Sequence, residues 1–386
     1  EGSMEFQLEK SQQEIQKAVK DFAKGEFDKE LAREMDKTCE FPTRIWQNAA
    51  DLGFIGIHVP EELSGGGMGV LENTLIAEAF CRKDSTIGAA LMLSCFAAEY
   101  LLRFGSDHQR QSFLPDVIAG RMLSGAAFYG AESRSGFWGN TPVAEKTNKG
   151  WRLSGEIEYV INGGRAGFYC LPCSNGKNHS PSSNLKMVIV KDGLEGVSFE
   201  DRNDTLGLRM TPTAKMILAG VNISPEELIG KENQGEKQVE RILAESWVLI
   251  SALALGIAQG ALDRSLDYVK QREQFGKKIA RFQVTQHKLA DMATRIEQVR
   301  YLTYAAAKSF DSRKPEYKLA AMAKLGAART AVAVASEAVQ LMGGYGYMTE
   351  YDVERFYRDA KTLELIGGNP VNLRNAIAKR IIGRIR

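Results

Sequence analysis

Cysteine and histidine are scarce in this chain, and neither sign of charge prevails. Its 386 residues include five cysteines and four histidines, which are too few and too scattered for a disulfide framework. Cys170 and Cys173 form a CxxC, but no second pair or histidine cluster supplies the four ligands that structural zinc requires. We therefore interpret this pair as structural, and we predict that the protein binds no metal.

The charge balance and the lack of long apolar runs argue against further classes of protein. With 50 basic and 48 acidic residues the net charge is +2, which gives no electrostatic reason to expect a nucleic acid or an anionic membrane as partner. No uninterrupted apolar run reaches the length that spans a bilayer. Glu1-Gly2-Ser3 resemble an expression scar, and no positively charged segment with an apolar core follows them. We expect a cytoplasmic protein.

Three regions follow from the spacing of the apolar residues. Residues 4–122 mix polar and apolar positions at helical spacing, with a Pro and Gly-rich loop between helices. Residues 123–223 change to alternation, because mostly polar residues separate Trp151, Leu153, Ile157, Tyr159 and Ile161. Residues 224–386 return to long helical stripes. The predicted fold is α+β: a helical domain, a small antiparallel sheet or barrel, and an antiparallel bundle.

Two glycine-containing segments are compatible with ligand contacts. Arg272 begins an RxxFG segment where a helix meets a glycine turn, and its guanidinium can make charge-assisted bonds to a pyrophosphate. By itself this segment is better explained as a solvated helix end with a buried phenylalanine. Gly343 and Gly344 follow Gln340 and allow backbone amides to approach a ligand closely, although such a pair can also simply end a helix.

Five ordered segments resemble the acyl-CoA dehydrogenase family, and the resemblance covers nearly the whole chain. They are WQNAADLGFIGIHVPEELSGGGMG (46–69), GEIEYVINGGRAGFY (155–169), ALGIAQGALDRSLDYVKQREQFGKKIARFQ (254–283), QLMGGYGYMTEYDVERFYRDAK (340–361) and RNAIAKRIIG (374–383). The resemblance implies an N-terminal helical domain, a central β-barrel and a C-terminal four-helix bundle, assembled as a homo-oligomer, either a dimer or a tetramer. It also implies FAD, bound between barrel and bundle, with a neighbouring subunit contributing to the site.

The resemblance also assigns the contacts to FAD. The cofactor-binding residues that it implies are Phe128, Ala131, Tyr159, Ile161, Arg272, Phe275, Phe282, Gln283, Gln340, Gly343, Gly344 and Asn369. Arg272 and Phe275 are expected to hold the FAD of a partner subunit. Ile161 stands where the family commonly has Thr or Ser, so it cannot donate the usual hydroxyl hydrogen bond to flavin N5. Val371 replaces the usual Gln near the FAD.

The family's usual catalytic carboxylate is missing where the resemblance places it. Removal of the α-proton needs a base, and the corresponding position after RDAK is Gly367. Some relatives carry the glutamate on a bundle helix instead, where this chain has Ser246. The adjacent Glu245 is a candidate base only if the register shifts, because one residue rotates a helix by about 100°; otherwise we interpret it as a surface charge.

Bulky residues indicate a changed substrate side. Phe137 and Trp138 stand where the arm of a CoA thioester is expected to pass, and Trp247 replaces an arginine near the acyl-CoA, next to Ser246. We predict dehydrogenation or oxidation across the α and β carbons of an acyl thioester, carried on CoA or an acyl carrier protein, with hydride transfer to flavin N5. Two alternatives stay open: a flavin-dependent monooxygenase on the same fold, and a non-catalytic subunit of a hetero-oligomeric acyl-CoA dehydrogenase.

Overall fold

Helices make up the N-terminal region of the computed structural model, which describes residues 7–127, 141–175, 185–201 and 204–383. They are α1 (Lys10–Glu26), α2 (Lys29–Thr38), α3 (Thr43–Asp51), α4 (Val70–Lys83), α5 (Ser85–Leu93), α6 (Ala98–Phe104) and α7 (Asp107–Ile118). Asp84 begins α5, because its side chain accepts hydrogen bonds from the Thr86 and Ile87 amides. Every residue of α5 is buried, so this helix lies inside the fold rather than on its surface.

A sheet of eight strands follows. The strands are β1 (Ser124–Ala127), β2 (Val143–Thr147), β3 (Gly150–Ile161), β4 (Phe168–Cys173), β5 (Lys186–Lys191), β6 (Val197–Asp201), β7 (Thr213–Ile223) and β8 (Leu228–Ile229). Their order is β6-β7-β3-β1-β4-β5-β8, with β2 paired to β3. All pairs of neighbouring strands in this sheet are antiparallel except β1 with β4. The predicted antiparallel pairing is therefore confirmed for most of the sheet.

The predicted closed β-barrel is wrong. Within the described residues, β6 and β8 stand at opposite ends of the strand order and do not pair with each other. β8 is only two residues long, and so it offers few backbone groups for a closing ladder. The central region is therefore an open sheet. The CxxC pair lies in β4, where both cysteines are buried, unpaired thiols, and burial raises the pKa of Cys173 to about 12.

The C-terminal region is helical, as predicted, and is held together by one long helix. Its elements are α8 (Gly235–Gln271), a hairpin of β9 (Glu273–Gln274) and β10 (Lys277–Lys278), α9 (Gln283–Asp311), α10 (Tyr317–Met342), α11 (Val353–Leu363) and α12 (Pro370–Ile382). α8 packs against α9, α10 and α11, and also against α4 of the N-terminal region. Because α8 contacts both regions, most of its middle is buried, and both this middle part and the C-terminal end at Arg272 contribute to the sites described below.

Three helical stretches of the described chain have the length and apolar composition that crossing a membrane requires. They are Ser85–Phe104, Gly235–Gln271 and Tyr317–Tyr347. In the order given, 94%, 89% and 50% of the most apolar part of each stretch is buried inside the protein. The first two stretches are therefore apolar because they form part of the core. The predicted domain boundaries at residues 122 and 223 stay predictions. The first falls between α7 and β1, and the second at the last residue of β7.

Candidate active site

The RxxFG segment forms a tight hairpin at the end of α8. The helix stops because Arg272 adopts an extended backbone, with φ −69° and ψ 130°. β9 and β10 then pair around a two-residue turn in which Phe275 and Gly276 have φ of 52° and 74°. Positive φ at both central residues is the geometry that two-residue hairpins prefer. The turn presents the Phe275 ring to solvent, where it is 92% exposed.

A cavity of about 530 Å³ brings several predicted FAD contacts together. Arg272, Gln340, Gly343 and Gly344 all line it, together with aromatic and apolar side chains from α8 and the segment after α10. A Cβ placed on Gly343 or Gly344 would meet nothing within 4 Å, so both backbones are open to a ligand. The Arg272 guanidinium stands 5.9 Å from the centre of the Tyr345 ring. The predicted pyrophosphate contact and the predicted glycine contact thus share one cavity.

Phe282 and Gln283 lie beside the hairpin, outside the residues that line this cavity. The Phe282 ring meets Phe275 edge-on at 6.4 Å, and the Lys277 ammonium stands 4.2 Å from its centre. Gln283 is the first residue of α9 and is exposed. Their predicted place near the FAD of another subunit stays a prediction.

The strand residues Tyr159 and Ile161 do not share one environment. Ile161 is buried and pairs with Thr213 and Ala126. Tyr159 is 50% exposed, which contradicts the regular alternation expected of β3. The cause is a shift of register between Ile157 and Val160, where an extra residue enters the strand. Tyr159 is therefore available to a ligand, whereas Ile161 is covered by its neighbours in the sheet.

Gly367 and the middle of α8 face each other. The Trp247 indole N–H donates a hydrogen bond of 2.6 Å to the Gly367 carbonyl. A Cβ built on Gly367 would lie 2.4 Å from Ile250 Cδ1 and 3.5 Å from Ser246 Oγ, and its φ is +67°. The two positions at which the resemblance places a catalytic carboxylate are thus neighbours in space. Ser246 uses its hydroxyl to donate to the Leu243 carbonyl at 2.7 Å.

Glu245 belongs to a group of buried and partly buried charges. Arg103 Nε donates to one of its oxygens at 3.1 Å, and Arg241 Nε donates to the other at 2.5 Å. The side chain is only 8% exposed, so the interpretation of Glu245 as a surface charge is wrong. Both carboxylate oxygens of Glu245 are therefore occupied by guanidinium donors.

Asn369 begins α12. Its side-chain oxygen accepts hydrogen bonds from the Val371 and Asn372 amides at 2.9 and 3.0 Å, the usual role of an N-cap. Val371 is 58% exposed. Four further residues of the sequence analysis, Phe128, Ala131, Phe137 and Trp138, lie outside the described residues. Their predicted contacts with cofactor and substrate stay predictions.

The sequence analysis missed two buried charged residues, of which the first fixes the segment around Gly367 and the second fixes α11 before it. Lys324 of α10 is inaccessible to solvent, and its ammonium donates to the Gly368 carbonyl at 2.6 Å and the Glu364 carbonyl at 3.3 Å. Burial lowers the pKa of Lys324 to about 7. A single lysine in the run AAMAKLGAA of small apolar residues is the sequence signal that marks it.

Asp359, the acid of RDAK, is the second of these residues and is completely buried. Its carboxylate accepts hydrogen bonds from the Ser85 and Thr86 hydroxyls at 2.6 and 2.5 Å and from the Leu208 amide at 2.6 Å. Nearby, Arg355 donates to Asp84 at 2.6 Å, also in the interior. The motif thereby ties α11 to the start of α5 and to the loop before β7.

Fold and site together narrow the class. A helical region, an open sheet and a second helical region place one arginine and two open glycine backbones in a cavity at the end of α8, an arrangement that suits an anionic ligand.

Known proteins identify the class. The N-terminal and C-terminal domains of acyl-CoA dehydrogenases match residues 9–121 and 233–382. A probable acyl-CoA dehydrogenase of Bacillus subtilis (strain 168), YngJ, is 34% identical over 380 residues, covering 98% of this chain and 100% of that protein. The acryloyl-CoA reductase (NADH) of Anaerotignum propionicum is 33% identical, covering 99% and 97%. The solved butyryl-CoA dehydrogenase from Megasphaera elsdenii superimposes with a TM-score of 0.92 at 29% identity, covering 98% and 100%.

This chain belongs to the acyl-CoA dehydrogenase family. The predicted family and the predicted function at the level of FAD-dependent oxidation of acyl thioesters are confirmed, and FAD is the family's cofactor. The residues present fit FAD, because Arg272 offers a guanidinium to a phosphate and Gly343 and Gly344 leave their backbones open beside it. The individual residue assignments stay predictions.

Proposed function

We propose that this chain dehydrogenates an acyl thioester across its α and β carbons, with the hydride of the β-carbon passing to FAD and the α-proton passing to a base other than a carboxylate at Gly367 or Ser246. FAD supplies the hydride acceptor, flavin N5. The packing around Gly367 carries the proposal, because the Trp247 indole and the Ile250 side chain fill the space beside its backbone. The Ser246 hydroxyl is already committed to the Leu243 carbonyl, so neither position offers a proton acceptor of the usual kind.

An anaerobic titration tests the reaction itself. The purified yellow protein is mixed with acyl thioesters on CoA and on an acyl carrier protein, and the absorbance of oxidised flavin is followed. We expect stoichiometric loss of that absorbance with at least one acyl group. A protein that keeps its FAD but is bleached by none of a broad thioester panel would contradict the proposal.

A second candidate, a non-catalytic subunit, is favoured by the same closed packing. If the Trp247 hydrogen bond to Gly367 keeps the acyl thioester out of this chain, the chain contributes only its fold and part of the FAD site. The partner subunit in the assembly then carries out the dehydrogenation. The two candidates differ in one measurement. Bleaching of the chain alone supports the dehydrogenase, whereas bleaching that requires a co-purified related chain supports the subunit.

We also propose that the protein is a cytoplasmic homo-oligomer in which the α8 hairpin meets a second copy. Phe275 is 92% exposed and Tyr347 is 82% exposed, close to the cavity that Arg272 lines. Large exposed aromatic residues are enriched where proteins associate. Sedimentation of the FAD-loaded protein tests this, and a monomer that retains its FAD would count against it.

Arg272→Ala is expected to weaken FAD binding by about 10- to 100-fold, since a hydrogen bond from a charged group contributes about 1.5–3 kcal/mol. The measurement is the dissociation constant of FAD for the apoprotein. Lys270→Ala, which removes an exposed cation near the end of α8, is the matched control and should bind FAD as the unaltered protein does. Unchanged affinity in Arg272→Ala would remove the pyrophosphate role.

Glu245→Gln is expected to leave flavin bleaching intact while lowering the free energy of unfolding by about 1–3 kcal/mol. A carboxylate accepts a hydrogen bond from each guanidinium group with one of its two oxygens, whereas an amide has only one oxygen. Arg103 or Arg241 therefore loses its acceptor, and both lose the neutralising negative charge. Glu240→Gln is the control: this residue is on the same helix and exposed, and it pairs with Arg380 at the surface, so its replacement should leave bleaching intact and change the free energy of unfolding by less than about 1 kcal/mol. A folded, yellow Glu245→Gln protein that no longer bleaches would make Glu245 the base after all.

A further inference from the structure

A further cavity, of about 670 Å³, adjoins the one that Arg272 lines. The two cavities share Tyr268 and Met342 in their walls. The other walls come from α1, α2, the end of α4, the last turns of α8 and the segment before α11. None of the described residues that the sequence analysis assigned to FAD lines this cavity. Its volume is in the range of small-molecule sites, about 300–1,000 Å³, so it can hold a ligand of its own.

Positive side chains outnumber negative ones in the wall of this cavity. Five lysine or arginine residues and three aspartates line it, so the wall carries a net charge of +2. Arg82 donates two hydrogen bonds to Asp263, at 2.6 and 3.1 Å. Arg264 donates two to Asp352, at 2.8 and 2.7 Å. These two arginines are therefore neutralised by their partners, and lysines supply the remaining positive charge.

Three lysines of this wall, Lys20, Lys29 and Lys83, form no ion pair with any residue that the structure describes. They belong to α1, α2 and α4, so three helices bring separate positive charges to one cavity. Partial burial, and after it the positive charge of Arg82, lowers the pKa of Lys20. The ammonium of Lys20 thus stands in a positive environment, which a bound anion would neutralise.

The end of α4 does not cancel this positive charge. The last carbonyls of a helix carry a partial negative charge, which would repel an anion. Here the Arg264 guanidinium donates to the Lys83 carbonyl at 2.9 Å and approaches the Arg82 carbonyl at 3.5 Å. The negative end of α4 is therefore covered, while the ammonium of Lys83 stays available.

Two tyrosines and one unpaired acid complete the wall. Tyr268 and Tyr351 both line the cavity, with their rings perpendicular and the ring centres 6.5 Å apart. The Lys29 ammonium stands 5.6 Å from the centre of the Tyr351 ring, so a positive charge and an aromatic ring lie side by side. Asp267, next to Tyr268 on α8, is exposed and forms no ion pair among the described residues.

We propose that this cavity binds a nucleoside phosphate, separately from FAD. The three lysines hold the phosphate, because an ammonium group attracts phosphate as a point charge. The two tyrosines contact the base, since aromatic side chains stack on bases of any sequence. The Asp267 carboxylate accepts from the ribose hydroxyls, as carboxylates do in dinucleotide sites. A phosphate monoester carries about two negative charges at pH 7, which matches the net charge of the wall. Binding here does not depend on the reaction proposed above.

Calorimetric titration of the FAD-loaded protein with AMP tests the site. Adenosine, ribose 5-phosphate and inorganic phosphate are titrated in the same way, because each lacks one part of AMP. We expect AMP to bind at least ~10-fold more tightly than any of the three, since the phosphate and the base each add to affinity. The flavin absorbance of the filtrate shows whether FAD stays on the protein, and we expect it to stay.

Three variants locate the binding. Lys20→Met combined with Lys83→Met removes two ammonium groups and should weaken AMP binding at least ~10-fold, while adenosine binds as before. Lys24→Met removes an exposed lysine of α1 that does not line the cavity, so it is the matched control and should bind AMP as the unaltered protein does. Asp267→Asn should weaken the binding of AMP but not that of inorganic phosphate. Bound FAD and thermal unfolding confirm that each variant is folded.

Four results would overturn the proposal. They are the absence of AMP binding to the FAD-loaded protein at millimolar concentration, release of FAD by AMP, inorganic phosphate that binds as tightly as AMP, and an equal loss of affinity in Lys24→Met and the double variant. Release of FAD would place AMP in the cavity of Arg272 instead. Each of these results leaves the dehydrogenase proposal standing, because that proposal is tested by bleaching with thioesters.

Discussion

Replacing Asp359 by leucine is expected to lower the free energy of unfolding by about 3–5 kcal/mol, because three buried donors lose their acceptor at about 1–3 kcal/mol each. The two hydroxyls can turn toward other acceptors, but the Leu208 amide cannot. The loop before β7 should therefore detach from α11 first. Denaturant unfolding followed by circular dichroism measures the loss.

Asp359→Asn is the matched control and should cost only about 1 kcal/mol. Its oxygen can accept from the Leu208 amide, and its amide nitrogen can donate to the Ser85 and Thr86 hydroxyls once these rotate. A leucine variant as stable as the asparagine variant would show that the three hydrogen bonds do not hold the motif.

The Asp359→Asn variant also isolates the contribution of Asp359 to the pH dependence of stability. Burial raises the pKa of Asp359 from 3.8 to about 6, although the Ser85 and Thr86 hydroxyls oppose the shift. Between these values the folded chain binds a proton that the unfolded chain releases, so stability falls as the pH rises from 3.8 to 6. The asparagine variant should lack this part of the pH dependence.

Lys324→Met is expected to change how stability depends on pH. The pKa of Lys324 is about 7 in the folded protein against 10.5 in the unfolded chain. Between these values the unfolded chain binds the extra proton, so this lysine makes the protein more stable as the pH rises, by at most about 1.4 kcal/mol per pH unit. The measurement is the free energy of unfolding of both proteins from pH 7 to pH 10. Over this whole interval, the free energy of unfolding of the unaltered protein should increase relative to that of Lys324→Met.

Lys318→Met provides the control, since Lys318 is an exposed lysine at the start of the same helix. If the stability difference of the Lys324 variant changes with pH no more than that of this control, the ammonium of Lys324 is not held neutral in the interior, and its bonds to the Gly368 and Glu364 carbonyls are made by the charged form.

The order of helical, strand and helical regions could be predicted from the sequence, because each depends on local periodicity. Closure of the sheet could not. Whether β6 meets β8 depends on pairing between distant segments, and no local pattern determines it. The exposure of Tyr159 could not be predicted for a related reason. A single extra residue in β3 changes the face of the sheet on which the following side chains lie.

The cavity lined by Arg272 was more accessible to sequence reasoning than the buried charges around Glu245. Arg272 and the glycine pair belong to segments that resemble the family, whereas Arg103, one of the two arginines that bond to Glu245, lies 142 residues away in the chain. No local pattern around Glu245 discloses such a distant partner.

The surroundings of Gly367 also limit how this chain can change in evolution. A glutamate there must tolerate a φ of +67°, which costs a side-chain-bearing residue about 1–3 kcal/mol, and it also meets Ile250 at once. Shortening Ile250 first, in turn, opens a void in the core without any immediate benefit. Each single substitution is therefore destabilising on its own, and a glutamate at this position requires both together. The packing of α8 against Gly367 thus restricts which side chains this position can hold.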